Sequence, residues 1–436
     1  MDQDYIQGLR DTLKVQEREH EPWTSGVVNL KGPESHLYYT RKDGSHHLLN
    51  MAAISEGDIQ DLVDACSPAP FGRGAESVLD DTYRKALKLE DNLFAWRFNP
   101  DSGNFIAQLA HQLSPWAKFN KGFRAEVSKL NIYTQGGFFK VHQDTPRSDQ
   151  MFGSLVFTLP TPHMGGNLVL RHRARSFNFD TPTLLGSATS PSVAYVAFYS
   201  DVEHEVLEVT TGARITITFN LYYDPSRAPP IVPSSRIPIP ENDFTILLRQ
   251  AFRDASFVRQ YRYLGFGLEY QYPKDFTEDY YPGMEDLKGP DAFLFYALSD
   301  VGLRPSLRYL YDSSYGSWGD QFQLLLTYPL EGRDEDSCND TQINYLLGND
   351  DDGLIVWNAG ESEETLREEG ARAYRGDIED NRARSINVEW VTPPTHNLVG
   401  VTPYKESGNE PLQEIYYYTV CIVVDVSSVP CPPVTV

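Results

Sequence analysis

Ten histidines are spread through 436 residues, and one of them stands in an H-x-D pattern: His142-Gln143-Asp144, within GGFFKVHQDTP. Alone, the triplet is expected about once by chance in a chain with this many histidines, and it reads equally well as a polar strand end. Its neighbourhood makes it more specific. His142 follows a strand-like run, LNIY, and the Gly136-Gly137 turn, and another strand-like run comes after it. Sixty-two positions on, His204 lies in FYSDVEHEV at the edge of a second β segment. Ten further, Arg214 opens the alternating run RITITFN. A strand puts residues i, i+2 and i+4 on one face, so Arg214, Thr216 and Thr218 point the same way, which in a closed β structure can be inward.

Two imidazoles and a carboxylate from separate strands can occupy one face of an octahedron around a ferrous ion. Three positions are then left for substrate and O2. An arginine on a neighbouring strand supplies a bidentate anchor for a carboxylate, and nearby Thr or Tyr hydroxyls complete the anion's hydrogen bonds. The ensemble suits a dicarboxylic 2-oxo acid that chelates metal at one end and meets the guanidinium at the other.

Residues 127–222 resemble the Fe(II)/2-oxoglutarate-dependent dioxygenase superfamily, specifically its prolyl-4-hydroxylase-like group. The resemblance rests on Tyr133, Gly136 and Gly137, then H-x-D, FGSLVFTLP, GGNLVLRH, AFYSDVEHEV and the G-x-R-x-T strand, in that order. It implies His142, Asp144 and His204 as iron ligands and Arg214 against the distal carboxylate of 2-oxoglutarate. Tyr133 matches a tyrosine that hydrogen-bonds the cosubstrate, with Thr216 and Thr218 as weaker contacts. It implies Fe(II), 2-oxoglutarate and O2, with ascorbate as candidate reductant, and hydroxylation of a substrate with release of succinate and CO2. The strand after H-x-D departs from the oxygen-sensing members, offering Phe157 and Thr158 where they carry a second tyrosine. Prolyl residues of a protein are the substrate the nearest group suggests; a small-molecule metabolite would use the same iron chemistry. A non-catalytic binding protein on the same scaffold is the rival from another class. A metal-dependent hydrolase is a third, but gives no reason for Arg214.

These residues need elements to hold them. Residues 2–20 read as an amphipathic helix behind Asp2, and LYYTRKDGSHHLLN as a hairpin turning at Asp43-Gly44. Three more helices are expected: one opening at Ser55 with Asp58 as a capping box, one carrying Val78, Leu79, Tyr83, Ala86 and Leu87, and one carrying Phe105, Ile106, Leu109 and Leu113. From about 123 the period falls from 3.6 to 2, and short β-branched or aromatic runs suggest a sandwich or barrel. Six prolines between Pro225 and Pro240 favour an extended connector. A helix capped by Asn242 opens a second half of mixed character, which holds no H-x-D and one histidine, His396. The fold class is thus α+β. Residues 1–122 are expected as helical buttress and first strands of the catalytic domain, and 123–224 as a β core, by resemblance a double-stranded β-helix (jelly-roll, cupin-like). Residues 225–241 are read as linker and 242–436 as an accessory α+β domain.

Length alone argues for two or three domains. Thirty-eight Lys and Arg against 61 Asp and Glu leave a net charge of −23, a field that repels phosphate backbones and anionic lipid. General nucleic-acid binding and membrane association are therefore not expected; the partner is an unidentified protein or small molecule. Cys66, Cys338, Cys421 and Cys431 form no C-x-x-C pair or disulfide framework, and no run of 18 apolar residues occurs. A reduced compartment, cytoplasm or nucleus, is the expectation.

Other polar groups read more blandly. His172 is taken as a rim histidine with substrate contact as the alternative, His163 as a loop residue, His46 and His47 as solvated, and His111 as structural. FGRGAESVLDDTYRKA (71–86) reads as a Gly-rich loop feeding a helix with Asp80, Asp81 and Arg84. No Lys-Ser/Thr follows it, so its functional reading is a substrate-side wall at the barrel mouth rather than a phosphate cradle. GRDEDSCNDTQ and GNDDDG lack the EF-hand alternation and read as solvated acidic loops.

Overall fold

The computed structural model describes residues 4–428 except 74–75, 103–104, 114–121, 145–147, 149, 187–190, 225, 228–240, 276–282, 316–319, 328–352, 358–384, 402–404, 408–409 and 413–414. Most of the Pro-rich segment and both acidic loops lie outside the described residues. The chain divides into two compact units, Glu21–Ser234 and Met1–His20 with Ser235–Val436.

Two antiparallel sheets build the first unit. The larger runs Trp23–Asn29, Ser192–Tyr199, Met151–Thr158, Val209–Asp224, Gly122–Thr134, Leu87–Glu90 and Ser67–Pro68, with His163–Gly165 beside the Val209–Asp224 strand. The smaller runs Arg175–Phe179, Leu168–His172, Glu203–Val206, Phe138–His142 and Arg84–Lys85. β-branched and aromatic side chains suit such pleated, buried surfaces, and the central Met151–Thr158 strand is covered on both faces. Phe157 leaves one face to meet Trp96, Phe98 and Phe105 at centroid separations of 5.0–5.9 Å. Phe105 opens the helix Phe105–Leu113, whose end accepts a hydrogen bond from Tyr199 at 3.0 Å. On the other face of the same strand, Ser154, Val156 and Thr158 line up at the spacing that carries the site.

The Asp43-Gly44 hairpin forms as read, with Gly44 at φ +83° in the region that favours glycine. Ser55 and Asp58 cap the helix Glu56–Ala65 reciprocally. The helix expected around Val78–Leu87 does not form. Glu76–Val78, Arg84–Lys85 and Leu87–Glu90 are strands with a turn between the first two. The alternation of Leu87 and Leu89 with Lys88 and Glu90 was a period-2 signal, and pairing with the Gly122–Thr134 strand satisfies it.

In the second unit the first helix is Tyr5–Glu19, capped by Asp4 rather than Asp2. It was expected among the elements buttressing the catalytic domain. Instead Arg10 donates to the carbonyls of Val391 and Trp390, and Gln16 accepts from Asn242, all in the same unit. The buried stripe of Ile6, Leu9 and Leu13 gives the physical reason, since it needs an apolar face to cover it. Asn242 caps Asp243–Arg253 as expected. The sheet here is mixed, with parallel pairs at Tyr263–Gly267 with Val388–Thr392 and at Tyr272–Asp275 with Leu398–Val401. Among the described residues no helix is long and apolar enough to cross a membrane.

Leu155 is fully buried on the central strand. Leu155→Ala is expected to lower stability by about 2–5 kcal/mol, measured by urea unfolding; a loss under about 1 kcal/mol would mean that the sheets do not pack around it.

Candidate metal centre

The strands Phe138–His142 and Glu203–Val206 lie antiparallel with His142 opposite His204, and the two ring centroids are 4.1 Å apart. Asp144 follows just past the strand end. Its Oδ2 accepts a 2.5 Å hydrogen bond from Ser154, and its Oδ1 lies 3.8 Å from His204 Nε2. One ligand atom from each of His142, Asp144 and His204 falls within 4.8 Å of the others, a set that could hold a metal ion.

Both imidazoles are oriented the same way. His142 Nδ1 lies 2.8 Å from the Lys140 carbonyl and His204 Nδ1 lies 3.1 Å from the Val202 carbonyl. A carbonyl only accepts, so each Nδ1 carries the proton and each Nε2 keeps its lone pair for a metal. Burial, with the adjacent His204 imidazole, pushes His142 down to about 3, so it stays neutral. For Asp144 burial acts upward, but the His204 imidazole and the Ser154 hydroxyl outweigh it and hold the carboxyl below its usual range. His204 is buried, while the Asp144 side chain is 29% exposed, so the cluster opens on the Asp144 side.

Arg214 is 1% exposed. Its Nε has no partner, and its nearest described acceptor is Thr158 Oγ1, at 3.5 Å from an Nη. Burial lowers it to about 10, which leaves it charged at neutral pH. No ion pair joins it to a carboxylate among the described residues. An unpaired buried charge is costly, so this guanidinium calls for an anion. Tyr133 lies directly across the ladder, its ring centroid 5.7 Å from Arg214 Cζ. The alternation holds, with Arg214, Thr216 and Thr218 opposite Tyr133, Asn131 and Lys129. Thr216 is buried with its hydroxyl 3.5 Å from the Asn131 carbonyl, and Thr218 is half-buried. Ser154 and Thr158 share one face of one strand, four residues or about 13 Å apart, so the carboxylate and the guanidinium address the same side of the sheet.

Some side chains depart from their sequence reading. His163 is a buried strand residue, donating from Nδ1 to the Thr161 carbonyl, rather than a loop histidine. His172 is 7% exposed, with Nε2 3.6 Å from Asp201 and Nδ1 accepting from Arg175, so it is not on the rim. His47 is half-buried between Arg41 and Asp58 rather than solvated. Gly166 was not singled out: a Cβ there would sit 2.7 Å from Val209 Cγ2 and 3.1 Å from Arg214 Cδ, at φ +69°. The repeated glycines of GGNLVLRH were the available signal. Arg84 was assigned to a helix; it is a buried strand residue beside Phe139.

Residues 128–222 match the family model described as the 2OG-Fe(II) oxygenase superfamily. Among curated protein sequences, nothing matches the chain. Solved structures that resemble it include a Pseudomonas putida prolyl-4-hydroxylase (16% identity, 49% of this chain and 98% of that one, TM-score 0.27). A Trichoplax adhaerens prolyl hydroxylase, in complex with a hypoxia inducible factor peptide fragment, is 14% identical over 51% of this chain and 91% of that one (TM-score 0.28). A Burkholderia pseudomallei oxidoreductase of the 2OG-Fe(II) oxygenase family is 13% identical over 39% and 81% (TM-score 0.23).

The lowered pKa values of His142 and Asp144 have a measurable consequence for the metal-free protein. An unfolded histidine protonates near about 6.5 and an unfolded aspartate near about 3.9, both above the folded positions of His142 and Asp144. The unfolded chain therefore takes up protons first, and stability present above about 6.5 is lost as pH falls. The urea midpoint is expected to drop between about pH 7 and about pH 5, less steeply in His142→Gln. An equally steep drop in that variant would assign the proton uptake elsewhere.

Proposed function

We propose that the chain is an Fe(II)/2-oxoglutarate-dependent dioxygenase whose 123–224 core is a double-stranded β-helix. What carries the reading is the pairing of a two-histidine, one-carboxylate cluster with a buried, uncompensated guanidinium on the same side of one sheet.

His142, Asp144 and His204 would hold the iron through His142 Nε2, His204 Nε2 and Asp144 Oδ1. Ser154 fixes the carboxylate by occupying its other oxygen. Arg214 would take the distal carboxylate of 2-oxoglutarate, helped by Tyr133 and Thr216, with Thr218 further along the row. Thr158 stands beside Arg214 with a short side chain. When bound, iron and 2-oxoglutarate supply oxidative decarboxylation coupled to hydroxylation of a substrate C–H bond, releasing succinate and CO2. Ascorbate is the candidate reductant. A prolyl residue in a protein is the substrate class the resemblance supplies, and a small-molecule metabolite is the other class. Residues 225–241 would serve as connector, and 242–436 together with the Tyr5–Glu19 helix as accessory unit.

Incubated with Fe(II), 2-oxoglutarate, O2 and ascorbate, the protein is expected to form succinate. His142→Ala is expected to abolish both metal binding and turnover; retained activity would remove it from the ligand set. Arg214→Ala is expected to raise the 2-oxoglutarate KM roughly 100-fold, the equivalent of about 3 kcal/mol for a buried charged contact. An unchanged KM would relocate the anchor.

A further inference from the structure

We propose that Arg84, which lies outside the segment matched to the superfamily, is a positioning residue for the metal centre; this rests on the reading of His142, Asp144 and His204 as ligands. Arg84 is 4% exposed and pairs across the ladder with Phe139. Its Cζ stands 4.4 Å from the Phe139 ring centroid, within cation–π range. The other side of the chain of contacts is closer still, for the Phe139 and His142 rings stack at 3.6 Å with 25° between their planes. The guanidinium is fixed at both ends of its fork. One Nη donates to the Pro70 carbonyl and the other to Asn131 Oδ1, each at 2.8 Å.

The Lys140 carbonyl fixes where His142 Nδ1 points but leaves the ring free to tilt about that bond. Phe139 removes the tilt, and Arg84 holds Phe139. Asn131 carries the same side chain's reach into the larger sheet, directly opposite Thr216. Arg84 thus joins the strand bearing a metal ligand to the strands that would hold the cosubstrate. No carboxylate pairs with it among the described residues, and its buried Nε has no partner. A surface arginine would do neither job, and an arginine kept for stability alone would not leave a donor unsatisfied.

The test is cobalt(II) binding to the metal-free protein, followed by d–d absorption, with thermal unfolding measured in parallel. Wild type is expected to bind. Arg84→Met is expected to weaken Co(II) affinity at least tenfold and alter the d–d band, as loss of ligand-orienting partners does. Arg84→Lys, which keeps a charge over the ring, is expected to recover part of the affinity. Phe139→Leu is expected to weaken binding similarly, with little further loss in the double variant. A folded Arg84→Met protein with wild-type affinity and spectrum overturns the proposal. If Arg84→Met does not fold, wild-type binding by both Arg84→Lys and Phe139→Leu overturns it. Failure of wild type itself to bind Co(II) removes the ligand assignment and this proposal with it.

Discussion

The cross-strand pairing of His142 with His204 is the constraint on which the first unit depends. Two antiparallel strands bring the imidazoles to the same rung, and backbone carbonyls two residues earlier set both tautomers. A one-residue slip of either strand would turn its histidine to the opposite face of the sheet. The register is held by the neighbouring strands: Leu168–His172 pairs with one strand and Arg84–Lys85 with the other.

Electrostatics gives the same unit its second demand. A chain of net charge −23 nevertheless buries Arg214 with no acid paired to it among the described residues. Net charge governs long-range attraction, while a buried group responds to what lies within a few ångströms. A net negative charge and a buried guanidinium are therefore compatible. Asp144 and Arg214 are kept apart by the four-residue step from Ser154 to Thr158, so neither neutralises the other.

The second unit offers a different lesson about apolar faces. The stripe on Tyr5–Glu19 was legible as amphipathic, but amphipathicity names a face without naming what covers it. Packing with residues from the other end of the sequence settles that, and a linear reading that groups neighbours in sequence assigns the helix to the wrong unit. Buried histidines were misjudged for a related reason. His163 reads as a loop residue and His172 as a rim residue, yet His163 donates to a carbonyl two residues back and His172 lies 3.6 Å from Asp201, far along the chain.

The sequence by itself determined the period of the core strands beyond about residue 123, the capped helices at Ser55 and Asn242, the hairpin at Gly44, and the residue types of the site. These are local properties, set by spacing, propensity and turn chemistry within a few positions. Tertiary structure alone decided that Arg84 belongs to a strand and reaches both sheets, that Ser154 holds Asp144, and that Arg214 has no carboxylate partner among the described residues. Each of those facts depends on residues ten or more positions apart, and contact at that range follows from how sheets close and pack, which no short window of sequence encodes.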